Sequence, residues 1–304
     1  MKKILIAFLS AFFITNLCFA SFSKNDVGTS GAQFLKLGAG ARASAMGDAF
    51  SAIAEDSTAI YWNPAGLAKM EKRSLSLMHS IWFDNMYYDW ASFAINTNFG
   101  TLGIGAQYFS YGSIKKIDAF GTQISEFDPS DLAVNLSYAK ELLGICLGLN
   151  AKYISSKIEN TATAYAFDFG TRFNLTENNF PIAIVAQNIG TKLKYVEDEE
   201  NLPLNFRLGC GFRFSSEWLI ALDINSPVDN EINVCSGVEY KHETDDDVFI
   251  SVRAGYNTKT KDLPGLKGIT AGLGYTFHEY TFDYAFVPFG DFGTIHKLGL
   301  SIRF

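Results

Sequence analysis

From Arg73 to Phe304, apolar and polar side chains alternate with a period of two, in segments of about ten residues. The last segment shows the split plainly. Leu298, Leu300, Ile302 and Phe304 share one face, while Lys297, Gly299, Ser301 and Arg303 share the other. In the same way Ile269, Ala271, Leu273, Tyr275 and Phe277 oppose Thr270, Gly272, Gly274, Thr276 and His278. Leu204, Phe206, Leu208, Cys210, Phe212 and Phe214 oppose Asn205, Arg207, Gly209, Gly211 and Arg213. The pattern predicts fourteen strands, near 73–83, 87–99, 101–113, 130–140, 143–157, 163–175, 180–189, 203–214, 217–226, 231–241, 247–257, 268–278, 279–288 and 294–304. Register is least defined in the second and seventh, whose apolar residues fall on both faces.

Links between the segments alternate in length. After even-numbered strands they are brief: Gly100, "EL", "TENN", "SS", "HETDDD" and a direct join at His278–Glu279. After odd-numbered strands they are mostly longer, including "SIKKIDAFGTQISEFDPS", "GTKLKYVEDEENLP" and "NTKTKDLPGLK". An even strand count with short periplasmic turns and long extracellular loops is the rule for outer-membrane barrels. The expected fold is therefore all-β, a transmembrane antiparallel up-and-down barrel of 14 strands over 73–304, with both barrel ends at the periplasm. A soluble sandwich also has one apolar face per strand, but seldom so many similar strands in succession. Pro181, at the start of the seventh strand, could interrupt wall pairing, although proline is tolerated in a strand's first residues.

The N-terminus differs from the rest. Lys2-Lys3, an apolar run from Ile4 to Leu17 and "CFA" read as a signal peptide, 1–20, cut after Ala20. A lipoprotein site at Cys18 is disfavoured because Leu17 is not small. Cys146, Cys210 and Cys235 then remain, an odd set that implies no disulfide framework. After the leader no apolar run reaches the ~20 residues of a membrane helix. Aromatic content is 15% and mean hydropathy +0.06, as alternating strands would give. A net charge of −7 argues against nucleic acid as a partner.

Between leader and barrel, residues 21–72 hold "GAGARASAMGDAFSAIAEDSTAIYWNPAGLA". Gly38, Gly40 and Ala43 loosely fit a dinucleotide fingerprint, but no good strand leads into it and no strand–helix alternation follows. Met46, Ala49, Phe50, Ile53 and Ala54 recur at helical spacing, and Asn63-Pro64 reads as an N-cap with proline in the first turn. Short helices and irregular backbone cannot face lipid, but can lie inside a polar lumen. Inward positions in the strands include Gly144, Gly148, Gly170, Gly209, Gly211, Gly237, Gly255, Gly272, Gly274 and Gly299, which leave room beside the wall. The segment is expected to be a plug, or hatch.

The run from Gly38 to Ala68, with its "NPAGLA" at Asn63, Pro64, Ala65, Gly66, Leu67 and Ala68, resembles the N-terminal signature of PorV/PorQ-type outer-membrane proteins, a branch of the FadL-like transporters of hydrophobic compounds. The resemblance marks Gly38, Gly40, Arg42, Met46, Gly47, Asp48, Asn63, Pro64, Ala65 and Gly66 as the plug motif. Lys297, Gly299, Ile302 and Phe304 resemble the terminal signal read by the barrel assembly machinery. It implies an outer-membrane location in a diderm bacterium and outer-membrane lipid as surroundings. Two functions follow from it. One is an accessory of type IX secretion that contacts secreted proteins and a translocon through loops 114–129 and 190–203. The other is a conduit for a fatty-acid-like ligand.

For the conduit, inward Trp82, Phe109, Tyr111 and Ile154 would gather into an apolar groove at the extracellular mouth, unless they form an interfacial girdle. Deeper inward positions are charged: Lys152, Asp168, Arg172, Arg207, Arg213, Asp223, Glu239, Arg253, Asp283 and Arg303. Mixed charges of this kind brace a wall and a plug. The acidic run Glu197 to Glu200 reads as a solvated loop. His79, on the lipid face, and His242, His278 and His296 do not converge. "HETDDD", with His242, Glu243 and Asp245 to Asp247, reads as an acidic turn rather than a metal site. No catalytic residue, metal or cofactor is expected.

Overall fold

The computed structural model describes residues 26–175, 180–195, 197–260 and 265–304. The predicted leader and the "TENN" turn at 176–179 lie outside them. Fourteen strands close into one antiparallel barrel: β1 (Ser74–Ile81), β2 (Tyr87–Thr97), β3 (Gly100–Ser110), β4 (Ser130–Leu142), β5 (Ile145–Lys157), β6 (Thr161–Asn174), β7 (Pro181–Gly190), β8 (Asn205–Arg213), β9 (Trp218–Pro227), β10 (Asn233–Asp245), β11 (Val248–Asn257), β12 (Ile269–Phe277), β13 (Tyr280–Pro288) and β14 (Thr294–Arg303). Each pairs with its sequence neighbours, and β1 closes on β14 from Ser74↔Arg303 to Ile81↔His296. Closure leaves no unpaired edge, the condition for strands to cross lipid.

The alternation is realised as predicted. Along β12 every second residue from Ile269 is exposed while Thr270, Gly272 and Gly274 are buried. Leu208, Leu273, Phe282 and Leu298 are among the large apolar side chains on the outer surface. Outward aromatic rows mark both ends. Phe214, Trp218 and Tyr240 stack in series at the short-turn end, and Tyr87 meets Tyr108 at the long-loop end. Such rings suit a membrane–water interface.

Two of the barrel's ladders are irregular. Between β6 and β7, Gln187 and Asn188 together oppose Asp168. Asn188 adopts φ 64°, and its N–H bonds to Asp168 Oδ1 (2.7 Å) instead of the ladder. Pro181 does not interrupt the wall; it pairs with Asn174. The other bulge lies at Glu243/Asp245, because β10 runs on to Asp245. Four of the six residues of "HETDDD", His242 to Asp245, are therefore strand, not turn. At the long-loop end, 114–129 contains a hairpin of Ile114–Ile117 with Gln123–Phe127, and 190–203 a smaller one of Leu193–Lys194 with Glu199–Glu200.

The core lies inside the barrel, between wall and hatch. The hatch contains a turn of 3-10 helix (Gln33–Lys36), α1 (Ala41–Ala45), α2 (Ala59–Trp62) and a second 3-10 stretch (Pro64–Lys69). Asn63 caps that last stretch, its Oδ1 accepting from Ala65 N (3.0 Å), with Pro64 in the first turn. The predicted helix from Met46 to Ala54 does not form: those residues make successive turns. Gly47 and Asp48 both hold φ 67°, which ends α1. All five apolar residues are nonetheless buried, because the lumen encloses the segment from every side.

Candidate functional site

The hatch is fastened to the wall around the lumen. Arg42 on α1 meets Glu239 on β10 through two parallel bonds (2.8 and 2.7 Å). Glu239 also accepts from Arg253 Nε (2.5 Å), whose Nη1 reaches Asp283 Oδ1 (2.7 Å). Asp223 Oδ2 accepts from the N–H groups of Phe50 and Ser51 (3.3 and 3.0 Å). Arg172 donates to Ala52 O (2.9 Å) and to the Glu55 carboxylate. Lys297 donates to Gly38 O (3.0 Å) and Ser44 Oγ (2.8 Å), and Gln187 Nε2 to Tyr61 O (2.7 Å). Irregular backbone buried away from water needs such partners.

Wall glycines let the hatch approach. A Cβ on Gly170 would overlap the Asn63 side chain, and one on Gly148 the Pro64–Ala65 backbone. Gly237 and Gly255 abut Met46 and Gly47, Gly209 abuts Ser51, Gly211 Ile53, Gly272 Ala45 and Gly299 Ala41. Two of the expected set differ. Gly144 sits in a turn at φ 79°, and Gly274 faces Arg253 and Asp283 of the wall itself. Within the hatch, Gly38 packs against Asp48 and Trp62, and Gly66 against the Ala54 carbonyl. Gly40 holds φ 88° just before α1. Asp48 faces Asn257 Nδ2 at 3.4 Å.

A sequence profile described as type IX secretion system protein PorV matches residues 20–229. The chain belongs to the PorV family. Its match spans the hatch and the wall strands through β9, so the fastened hatch belongs to the part by which PorV proteins are recognised. No curated protein sequence matches the chain. Among solved structures it is similar to the Pseudomonas putida toluene transporter TodX, with a TM-score of 0.61 at 12% identity over 88% of this chain and 97% of that one. It is also similar to the monoaromatic hydrocarbon channel CymD (TM-score 0.61, 12%, 88% and 98%) and a Pseudomonas aeruginosa FadL homologue (0.53, 9%, 84% and 96%). This PorV-family chain therefore has the FadL-like outer-membrane barrel fold.

At the long-loop end the expected groove residues are partly brought together. Trp82 and Tyr111 each contact the ring of Phe109, with centroids 5.6 and 4.6 Å apart. Phe109 is buried, and Trp82 and Tyr111 pack against the core rather than facing lipid. Trp82 lies just beyond β1, in the turn. Ile154 is buried two strands away, opposite Ala133 and Ala164. Tyr111 also donates to Asp131 Oδ2 (2.7 Å), while Asp131 Oδ1 accepts from Ser156; Ser156 meets Tyr195 Oη (2.7 Å). Asp131 and Tyr195 give this mouth a polar side that no sequence motif marks.

Of the expected inward charges, Lys152 and Asp168 form a buried pair (2.8 Å), while Arg213 and Arg303 are exposed at the short-turn end. They line a polar cavity of about 590 Å³ beneath α1, together with Arg42 and Lys241. Ile302 and Phe304, expected from the sequence to belong to a terminal signal, lie on the wall, with Phe304 exchanging backbone bonds with Arg73 (3.1 and 3.0 Å). The histidines stand apart: His79 pairs with Asp89 (2.7 Å), His296 with Tyr284 (2.8 Å) and His242 with Glu217 (3.7 Å). Among the described residues no three His, Cys, Asp or Glu side chains are placed to hold a metal ion.

Proposed function

We propose that this barrel is a non-enzymatic accessory of type IX secretion, which contacts exported proteins or a translocon at the outer membrane through its extracellular loops. The observation that carries this reading is the hairpin between β3 and β4. Asp118 Oδ1 accepts from Phe120 N (2.9 Å) and Thr122 N (2.8 Å), fixing the turn. Lys116, beside Ile117 on the hairpin's first strand, bonds Glu159 (2.6 Å). A polar frame thus holds Phe120 93% exposed, beside Ile117 and Ile124 at 59% and 63%. Preorganised apolar side chains at a hairpin tip suit a protein partner.

A second reading, passage of a hydrophobic compound, is favoured by the Trp82–Phe109–Tyr111 cluster and by the neighbours described as toluene and monoaromatic hydrocarbon proteins. Native mass spectrometry of the barrel gently extracted from its own membrane separates the two. Under the secretion reading, an exported protein or translocon subunit co-purifies and is lost when Phe120 and Ile124 are changed to Ser. A retained apolar small molecule, with no protein partner in either form, would favour transport.

A further inference from the structure

The cavity of about 590 Å³ beneath α1 reaches the short-turn end, and its lining runs against the charge of the chain. Seven lysines and arginines face five carboxylates there, in a protein of net charge −7. The ion pairs decide which of those charges are free. Glu55 is taken by Arg172, which stands outside the cavity. Glu239 is shared between Arg42 and Arg253, and Arg253 holds Asp283 as well. Glu71, Asp247 and Glu279 belong to the link before β1 and to two turns, at the rim, where Lys72 joins them. Glu279 accepts the backbone N–H of Arg303 (3.0 Å), but the two side chains form no ion pair. Lys69 is spent on Glu141 (2.8 Å), outside the cavity.

What remains inside is positive. Arg213, the last residue of β8, has no ion-pair partner among the described residues, and Arg303 stands 3.7 Å from Asp56, beyond hydrogen-bond reach. Lys241 on β10 rests its Nζ over the Phe249 ring, 3.7 Å from the centroid, instead of on a carboxylate. The strongest charges acting on it are Arg42, Arg303 and Arg213, and the opposing Glu239 already serves two arginines. Arg213 and Arg303 are exposed, and Arg42 and Lys241 half-buried, so a ligand in the cavity reaches all four. Like charges converging in a cleft with low-dielectric walls focus their field and concentrate anions.

The number of free cations selects the kind of anion. A carboxylate brings one negative charge, whereas a phosphate brings about −1.5 to −2 and three acceptor oxygens, which guanidinium forks match. Thr276 and Thr281 share one hydrogen bond (3.0 Å), which leaves one hydroxyl proton to donate into the same space. The volume falls within the roughly 300–1,000 Å³ of small-molecule sites, room for more than a phosphate group alone.

We propose that this cavity binds a small phosphorylated molecule by its phosphate, entering from the short-turn end, which in such barrels is periplasmic. The site stands apart from the secretion reading and survives its failure. The test is calorimetric titration of the full barrel, in an amine-oxide detergent and chloride buffer of physiological strength, with inorganic pyrophosphate as the probe. Acetate and a hexaglutamate peptide are the comparisons. Saturable binding of one pyrophosphate per barrel is expected, with acetate and the peptide far weaker. Affinity should fall at least fivefold in Arg213→Gln and in Lys241→Gln barrels that keep the folded band on unheated gels. Arg213 is exposed at a strand end, so its loss leaves the fold standing. Lys157→Gln, an exposed position at the loop end of β5, should bind as wild type does.

No binding of pyrophosphate, equal binding of acetate, or tighter binding of hexaglutamate would overturn the proposal. So would an affinity that the folded Arg213 and Lys241 variants leave unchanged, or that Lys157→Gln lowers as much. Displacement of pyrophosphate by glycerol 1-phosphate assigns the phosphate to a soluble molecule; displacement by short-chain phosphatidylglycerol alone assigns it to a lipid headgroup.

Discussion

The guanidinium of Arg42 on the hatch and the carboxylate of Glu239 on β10 form a bidentate pair, with N···O distances of 2.8 and 2.7 Å. The two ends of that pair are not equivalent. Glu239 holds Arg253 as well as Arg42, so its removal leaves Arg42 without its carboxylate and the buried Arg253 with Asp283 alone. Breaking a buried pair from one side costs about 3–5 kcal/mol. Glu239→Ala is expected to lose stability on that scale, whereas Arg42→Ala, which leaves Glu239 with Arg253, loses clearly less. Thermal unfolding followed by the heat-shifted gel band checks the order. Equal losses would mean that the pair with Arg253 adds nothing.

The close approach of hatch to wall predicts which glycines tolerate a methyl group. Gly170→Ala and Gly148→Ala place a Cβ on the Asn63 side chain and the Ala65 backbone. Overpacking of this kind costs about 1–3 kcal/mol. The hatch, rather than the barrel, should give way, seen as new protease cleavage between Asn63 and Lys72 and as single-channel conductance in planar bilayers. At Gly299 the nearest atom is the Ala41 Cβ at 3.3 Å, so Gly299→Ala should leave both readouts near wild type.

Much of this arrangement was legible in the sequence, for a physical reason. Lys297 and Leu298 had to face opposite ways because lipid lies on one side of a strand only, and the same rule set all fourteen strands. Met46 to Ala54 misled for the complementary reason. Inside a lumen every direction is buried, so apolar spacing no longer reports helix, and Gly47 and Asp48 turned the chain instead. That Arg213, Lys241 and Arg303 surround one cavity was illegible because it depends on which strands face one another across the lumen. The bulge at Asn188, which no local pattern announces, shifts the β6–β7 register.

Acid should loosen the first turn of the hatch. Asp229, in the loop between β9 and β10, accepts from Gln33 (2.8 Å) and from Lys36 (2.7 and 2.9 Å). Burial would raise its carboxyl, but these bonds and the Lys36 charge overcome that and hold it below the ordinary value. A carboxyl lowered on folding contributes stability that is full above the ordinary value, about 3.9. That contribution is lost as pH falls through the lowered one. Hydrogen exchange at Gln33 to Leu37 should therefore be slow near neutrality and speed up below about pH 4, once corrected for intrinsic rates. Asp229→Asn should exchange faster at neutral pH and lose that acid-dependent step.

The lipid-facing assignment can be tested by one charge moved three residues along β12. Leu273 is 56% exposed at the middle of the strand and shares its face with Ile269 and Phe277. Thr276 points the other way and lines the polar cavity beneath α1. A cation on the lipid face at mid-membrane costs about 2–4 kcal/mol, while one in a hydrated lumen costs little. Gly274 would be a poor control, since any side chain there meets Arg253 and Asp283. Leu273→Arg is expected to reduce the amount of folded barrel in the outer membrane, and Thr276→Arg to leave it near wild type. If the outer surface of β12 met water or a soluble partner instead of lipid, Leu273→Arg would assemble as well as Thr276→Arg, and the membrane-spanning register of the strand would be wrong.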